Sequence, residues 1–226
     1  MDYIDKLVES TDFSQNKPIS DVVYESLRKT IISGIIPVGE RIIEKEYAER
    51  LNISRTPIRE ALRRLEMEEL VEYLPRKGVV VKKVSTEDVI EIYKIRHSLE
   101  VLAAINAMDN ITLEEINEIE ELLDLTEEQN RAGKVEEVIK LFGEFNTRIY
   151  RASRMKRLES MISRLNEYLQ RFRNISISEN ERREEGIKEH REILKAIIEK
   201  DKEGIEFIIK KHLEYSLIIV TSEIKD

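Results

Sequence analysis

The sequence predicts a mainly α-helical protein in two parts, a small unit of three helices and a β-hairpin followed by an antiparallel all-helical bundle. Three observations carry that expectation. Apolar residues recur at three- and four-residue spacing along most of the 226 residues. The spacing gives way once, over residues 70–84, to two short β-branched runs around a Pro/Gly turn. Charge divides at the same place: residues 18–84 hold 13 Lys/Arg against 11 Asp/Glu, whereas residues 85–226 hold 23 against 31, within a net charge of −8. Such asymmetry points to two units with different partners. With seven Gly, four Pro and many Leu, Ile, Glu, Lys and Arg, the composition is that of a helical protein. The absence of cysteine excludes disulfides and thiolate metal sites. No apolar run nears the ~20 residues a membrane helix needs, and "MDYIDKLVES" is no signal peptide, so a cytoplasmic protein without a membrane partner is expected.

Residues 1–17 are read as an N-terminal extension. Residues 20–33, "SDVVYESLRKTIIS", set Val23, Leu27, Ile31 and Ile32 near one helical face, and Gly34, Pro37 and Gly39 of "GIIPVGE" end that helix. A short helix follows over about residues 44–51, then the tight connection "NIS". The next helix starts with Ser54 or Thr56 as N-cap and Pro57 in its first turn, where a missing N–H costs nothing. Its core face is Ile58, Ala61, Leu62 and Leu65. "LVEYL" and "GVVVKKV" then read as strands around "PRKG", a hairpin with Gly78 at its tip. Three helices and a basic hairpin are the parts of a winged helix-turn-helix over residues 18–84. From Thr86 on, helices are expected near residues 86–108, 113–132, 135–152, 155–175, 180–199 and 202–222. A bundle of this kind over residues 85–226 often holds ligands between its helices.

Thirteen residues, "SRTPIREALRRLE", contain four arginines in an otherwise acidic chain. With the apolar positions turned inward, Arg59 and Arg63 project one turn apart and Arg55 and Thr56 sit at the helix start. Recognition helices present such N-terminal residues to base edges in the major groove. The planar guanidinium fork suits guanine O6 and N7. Lys45 on the preceding helix, and Arg76, Lys77 and Gly78 at the wing, are placed to add phosphate or minor-groove contacts. Glu60 is the competing partner for a neighbouring arginine, and docking of the basic helix on an acidic protein is the competing function.

"SRTPIREALRRLEMEELV" followed by "PRKGVVV" resembles the signature of the GntR family of bacterial transcription regulators, and "STEDVIEIYKIRHSLE" resembles the entry to the helical effector domain called FCD. The resemblance implies operator-reading roles for Arg55 and Arg59. It also implies a homodimer on a palindromic double-stranded DNA operator, with a small-molecule effector in the bundle.

Polar residues inside apolar stripes mark the second site. Arg96 falls near the stripe of Ile92, Ile95, Leu99 and Ala103, and His190 lies in that of Ile187, Ile193, Leu194 and Ile197. His212 lies in that of Ile205, Ile208, Ile209 and Ile219, while His97 points to the surface. An inward arginine must meet an anion, either Glu100 or a ligand's carboxylate. Many FCD domains bind a metal through an Asp-x-x-x-His pair and two later histidines. His190 and His212 match the later pair, but Phe142 and Asn146 stand at the first pair. Two imidazoles and an amide oxygen make a poor site for a divalent ion. The expected effector residues are therefore Arg96, Asn146, His190 and His212 around a small organic carboxylate, with a metal-responsive regulator of the same fold as the alternative. No nucleophile, phosphate loop or spaced catalytic grouping suggests an enzyme. A ligand-responsive repressor is the expected function.

Overall fold

The computed structural model describes residues 2–169 and 180–224. The chain divides into two compact units, Met1–Val84 and Ser85–Asp226. Among the described residues no helix is long and apolar enough to cross a membrane.

The first unit contains α1 (Tyr3–Ser10), α2 (Ile19–Ile32), β1 (Arg41–Ile42), α3 (Glu44–Arg50), α4 (Arg55–Met67), β2 (Val71–Leu74) and β3 (Gly78–Val81). The face predicted for α2 is buried, and so is that predicted for α4. The two helices pack against each other, and α4 also packs on α3 and β2. The tight turn between α3 and α4 forms because Asn52 takes a left-handed conformation, φ +55°, which lets the Ile53 N–H reach back to the Ala48 carbonyl at 3.0 Å. Ser54 is the N-cap residue of α4, Thr56 lies within the helix, and Pro57 occupies its first turn.

Three features of this unit differ from the sequence reading. The N-terminal extension is a helix, α1, which packs against α2 and α3 with Ile4 and Leu7 buried. Its start is a capping box between Asp2 and Asp5, and Arg50 pairs with both carboxylates. The sheet has three strands in the order β1-β3-β2, all antiparallel, because the two residues Arg41 and Ile42 pair with Val80 and Val79. The wing tip is also displaced from expectation. Leu74 pairs with Gly78, so the turn is Pro75-Arg76-Lys77 and Gly78 opens β3. Arg76 stands at φ +69° and Gly78 at φ +83°.

The second unit is the helical bundle: α5 (Thr86–Asn110), α6 (Leu113–Arg131), α7 (Val135–Ala152), α8 (Lys156–Tyr168), α9 (Asn180–Glu199) and α10 (Lys202–Glu223). Capping boxes start α5 (Ser85 with Asp88) and α6 (Thr112 with Glu115). Connections of two or three residues make α6/α7, α7/α8 and α9/α10 packed antiparallel neighbours. Helix α5 packs against α7, α8, α9 and α10 and is the spine of the bundle. The helix expected over residues 155–175 is described to Tyr168. Residues 170–175 of that expectation lie outside the described residues.

The buried face of α5 is only partly the one predicted: Ala103 and Arg96 face inward as expected, but the face is rotated away from Ile92, Ile95 and Leu99. Val89, Tyr93, Arg96, Glu100, Ala103, Ala104 and Ala107 face inward, while Ile95 is 41% exposed and Ile92 and Leu99 are half-buried. His97 is half-buried instead of superficial, with Nε2 shut away from solvent and without a hydrogen-bond partner among the described residues.

Two substitutions test the first unit. Leu7→Ala removes a side chain with no exposed surface and is expected to cost about 2–5 kcal/mol. Hydrogen exchange should accelerate across α1–α4 and stay unchanged in α5–α10. Unchanged exchange in α2 and α3 would show that α1 is an appendage. Gly78→Ala places a side chain at φ +83° without steric contact closer than 3.8 Å. The left-handed backbone alone should then cost about 1–2 kcal/mol, read as faster exchange confined to the wing.

Candidate functional site

Helix α4 turns Ile58, Ala61, Leu62 and Leu65 into the core, which leaves Arg55, Thr56, Arg59 and Arg63 exposed. Arg76 and Lys77 are exposed on the wing turn, and Gly78 behind them is half-buried. Arg41, exposed on β1, was not singled out in the sequence; a Cβ built on Gly78 would lie 3.8 Å from its Nε, so it adds a cation to the wing. Among the described residues, Arg41, Arg55, Arg63, Arg76 and Lys77 make no ion pair. Lys45 on α3 is exposed and 3.7 Å from Glu49, a surface pairing worth little. A groove between α4 and the wing is lined by Glu44, Arg59, Leu62, Arg63, Tyr73 and Val79.

Arg59 has a partner, but not Glu60. Its Nε and Nη2 donate to Glu44 Oε1 and Oε2 at 3.3 and 2.9 Å. The hydrogen bonds and charge of that carboxylate raise the guanidinium above its ordinary pKa. Glu60 is one residue further along the same helix, about 100° round from Arg59, and does not face it. The remaining arginines near this helix serve the fold. Arg64 donates to Asp21 at 2.5 Å and lies 3.7 Å over the Tyr24 ring, and Arg28 donates to Glu68 at 2.7 Å.

In the bundle, a cavity brings together all four residues expected from the sequence, Arg96 (α5), Asn146 (α7), His190 (α9) and His212 (α10). Tyr93, Ile139, Phe142, Leu169, Arg182, Ser216 and Val220 complete its lining. Only about 50 Å³ is open to the centres of water molecules, so an occupant must be small. Buried Arg96 has its anion in the protein: Nε and Nη2 both donate to Glu100 Oε1, at 3.0 and 2.8 Å. Burial alone would lower the Arg96 pKa, but the Glu100 charge outweighs it and the pKa is raised.

His190 is buried, stacked on Phe145 at 4.1 Å between ring centroids, with the Phe142 ring edge-on at 4.8 Å. His212 Nδ1 lies 2.6 Å from Glu189 Oε2, and Arg182 Nη2 donates to the same oxygen at 2.9 Å. Burial pushes the Glu189 carboxyl up, but hydrogen bonds and charge from His212 and Arg182 outweigh it and hold it below its ordinary value. Arg182 is itself buried, its Cζ lies 4.5 Å from the Tyr215 ring centre, and its Nη1 has no hydrogen-bond partner among the described residues.

The donors do not fit a divalent metal. Phe142 puts a phenyl ring where the family pattern has a carboxylate, Asn146 supplies a neutral amide, and Glu189 is already held by Arg182 and His212. Among the described residues no three His, Asp or Glu side chains converge as a ligand set. Arg182 and Glu189 were missed in the sequence, although a signal was there. Residues 182, 186, 189, 193 and 197 follow the three- and four-residue rhythm of the α9 core face.

Residues 19–81 match the family model of the bacterial regulatory proteins of the gntR family, and residues 91–215 match that of the FCD domain. The HTH-type transcriptional regulator YdhC of Bacillus subtilis (strain 168) is 32% identical over 207 residues, 90% of this chain and 92% of that protein. McbR of Escherichia coli (strain K12), an HTH-type transcriptional regulator, is 31% identical over 88% of this chain and 90% of its own length. The transcriptional repressor RspR of the same strain is 25% identical over 90% of each. The solved structure of E. coli McbR/YncC superposes with a TM-score of 0.71 at 28% identity, covering 92% of this chain and 99% of that one. The exposed basic helix with its wing and the helical second unit are thus the two halves of one kind of transcription regulator, not of an enzyme: the chain belongs to the GntR family and carries an FCD effector domain.

Proposed function

We propose that this regulator is a ligand-responsive repressor, a cytoplasmic homodimer that binds a palindromic operator through α4 and the wing and is switched by a small carboxylate in its bundle. The observation that carries the DNA-reading half is the distribution of unpaired charge. Most arginines of the protein are tied to carboxylates, whereas Arg55 and Arg63 on α4 and Arg41, Arg76 and Lys77 on the wing have no such partner among the described residues. Cations left unpaired on a helix start and its neighbouring turn are what a phosphate backbone neutralises. Glu44 adds direction. It occupies the Nε/Nη2 side of Arg59 and leaves the terminal Nη1/Nη2 fork to donate to guanine O6 and N7.

Dimerisation rests on two observations. One recognition helix spans too few base pairs for genomic selectivity. Helix α5 also presents Ile95 and Leu102 on one face, each 41% exposed, and α8, which packs against α5, presents Met161 at 55%. A second copy covering that face would make a twofold interface. The repressor direction follows the relative RspR. Switching follows from chain order, since α5 begins directly after the wing and carries Tyr93 and Arg96 into the cavity. A ligand that binds the DNA-competent and incompetent arrangements unequally would shift operator affinity by about 5- to 150-fold. The test is operator affinity with and without a low-molecular-weight extract of the source cells; no response would remove the ligand-responsive reading.

On an operator selected from random duplexes, Arg59→Ala should lose about 1–3 kcal/mol and relax preference at one position per half-site. Lys77→Ala should weaken all sequences alike and reduce the salt slope by about one. Unchanged affinity and selectivity in Arg59→Ala would remove Arg59 as a base reader. Light scattering at micromolar concentration should give a dimer for the wild type and a monomer for Leu102→Arg, which also loses most operator affinity. A dimeric, operator-binding Leu102→Arg protein would place the interface elsewhere.

A further inference from the structure

We infer that Arg182 is the anchor of the effector cavity and that the occupant it selects is a short monocarboxylate accepting from Arg182 Nη1. The inference rests on the ligand-responsive reading above and moves the ligand's charge partner from Arg96 to a residue that helical periodicity did not single out. An inward arginine needs an anion. Arg96 meets that need within its own helix, through two hydrogen bonds to Glu100 Oε1. Arg182 meets only half of it. Glu189 takes Nη2, and Nη1 is buried without a partner among the described residues, in a side chain only 6% exposed that lines the cavity. A buried charged donor left unpaired is costly, and a ligand acceptor removes that cost.

The neighbours of Arg182 hold it still. Glu189 grips one edge, Tyr215 covers the guanidinium face, and a Cβ built on Gly186 would lie 3.7 Å from Nη1 and 3.0 Å from the Phe142 ring. Glycine at that place lets Phe142 close over the site. The rest of the lining defines the ligand. Asn146, whose amide has no hydrogen bond among the described residues, and the Ser216 hydroxyl add neutral polar groups, while Ile139, Phe142 and Val220 form an apolar wall. The nearby carboxylates are committed, Glu189 to Arg182 and His212 and Glu100 to Arg96. One negative charge on the ligand therefore finds a donor, whereas a second would face Glu189. The small volume limits the chain to a few carbons.

The test measures binding of sodium formate, acetate, propionate and butyrate, with the matching neutral amides, to the full chain by titration calorimetry. The variants are Arg182→Lys, the charge-balanced double variant Arg182→Gln/Glu189→Gln, and Arg96→Lys, each first checked for wild-type helix content. The acids are expected to bind the wild type and the amides not. Both Arg182 variants should weaken binding about tenfold or more, and Arg96→Lys should keep most of it. If the double variant, designed to leave no lone buried charge, binds the acids as the wild type does, Arg182 is not the anchor. Amides binding as well as acids, or saturable nickel or zinc binding without any acid, would also overturn the inference. If no acid binds at about 20 mM while the cell extract still shifts operator affinity, the inference fails and the ligand-responsive reading stands. If the extract has no effect either, both fall.

Discussion

The effector unit is organised around one buried carboxylate, Glu189. A lone carboxylate in the interior of a bundle would neutralise itself or unfold its surroundings. Here one oxygen, Oε2, accepts from Arg182 on its own helix and meets His212 of α10, so the charge is kept and two helices are joined through it. The remaining features follow from that fixed point. Arg182 is held with one nitrogen spare, His212 is oriented with its other ring edge free, and His190 lies 5.2 Å from His212 between the rings of Phe142 and Phe145. Removing one partner of such a pair costs several kcal/mol, because the survivor is a buried charge. That is why tests of this site need charge-balanced changes.

The first unit was largely legible because its signals are local. Periodicity located α2 and α4 and their core faces, and the switch to alternation located the hairpin. Its misses have physical reasons. Helix α1 is eight residues long, and its amphipathic pattern means something only once α2 and α3 offer a surface to Ile4 and Leu7. Strand β1 contains two residues; such a strand exists by tertiary pairing with β3, not by its own propensity. The turn was misplaced by one step because glycine suggests the tip, yet here Arg76 also accepts a left-handed backbone and Gly78 is the first paired residue.

The bundle was legible at the level of helices and less so at the level of the site. Helical wheels found His190 because it sits among buried aliphatic residues, and His212 because its stripe holds buried Ile205 and Ile209 with half-buried Ile208 and Ile219. The same reasoning misdirected α5. Arg96 is expected inward with Glu100 or a ligand as its anion, and Glu100 is the partner; but a stripe centred on Ile92, Ile95 and Leu99 misses that the pair, four residues apart, turns the buried face toward Tyr93. Arg182 and Glu189 escaped for the same reason, since a pairing seven residues apart cancels charge that a residue-by-residue reading counts as surface. The Arg59–Glu44 contact joins residues on two helices, fifteen positions apart, and no local pattern announces it.

An acidic protein with an arginine-studded helix is therefore less paradoxical than its composition. Arginines at the structural joints are matched: Arg50 with Asp2 and Asp5, Arg64 with Asp21, Arg96 with Glu100, and Arg154 with Glu115. Net charge says little about where a polyanion can land, because each ion pair removes one cation from that account. Among the cations without an ion pair in the described residues, Arg55 and Arg63 of α4 and Arg41, Arg76 and Lys77 of the wing lie on neighbouring elements of one small unit, where the local potential is set by charges within a Debye length of about 8–10 Å. The excess of acid in the second unit, 31 Asp/Glu against 23 Lys/Arg, works in the same direction, because a net negative unit disfavours a polyanion and the less acidic first unit does not.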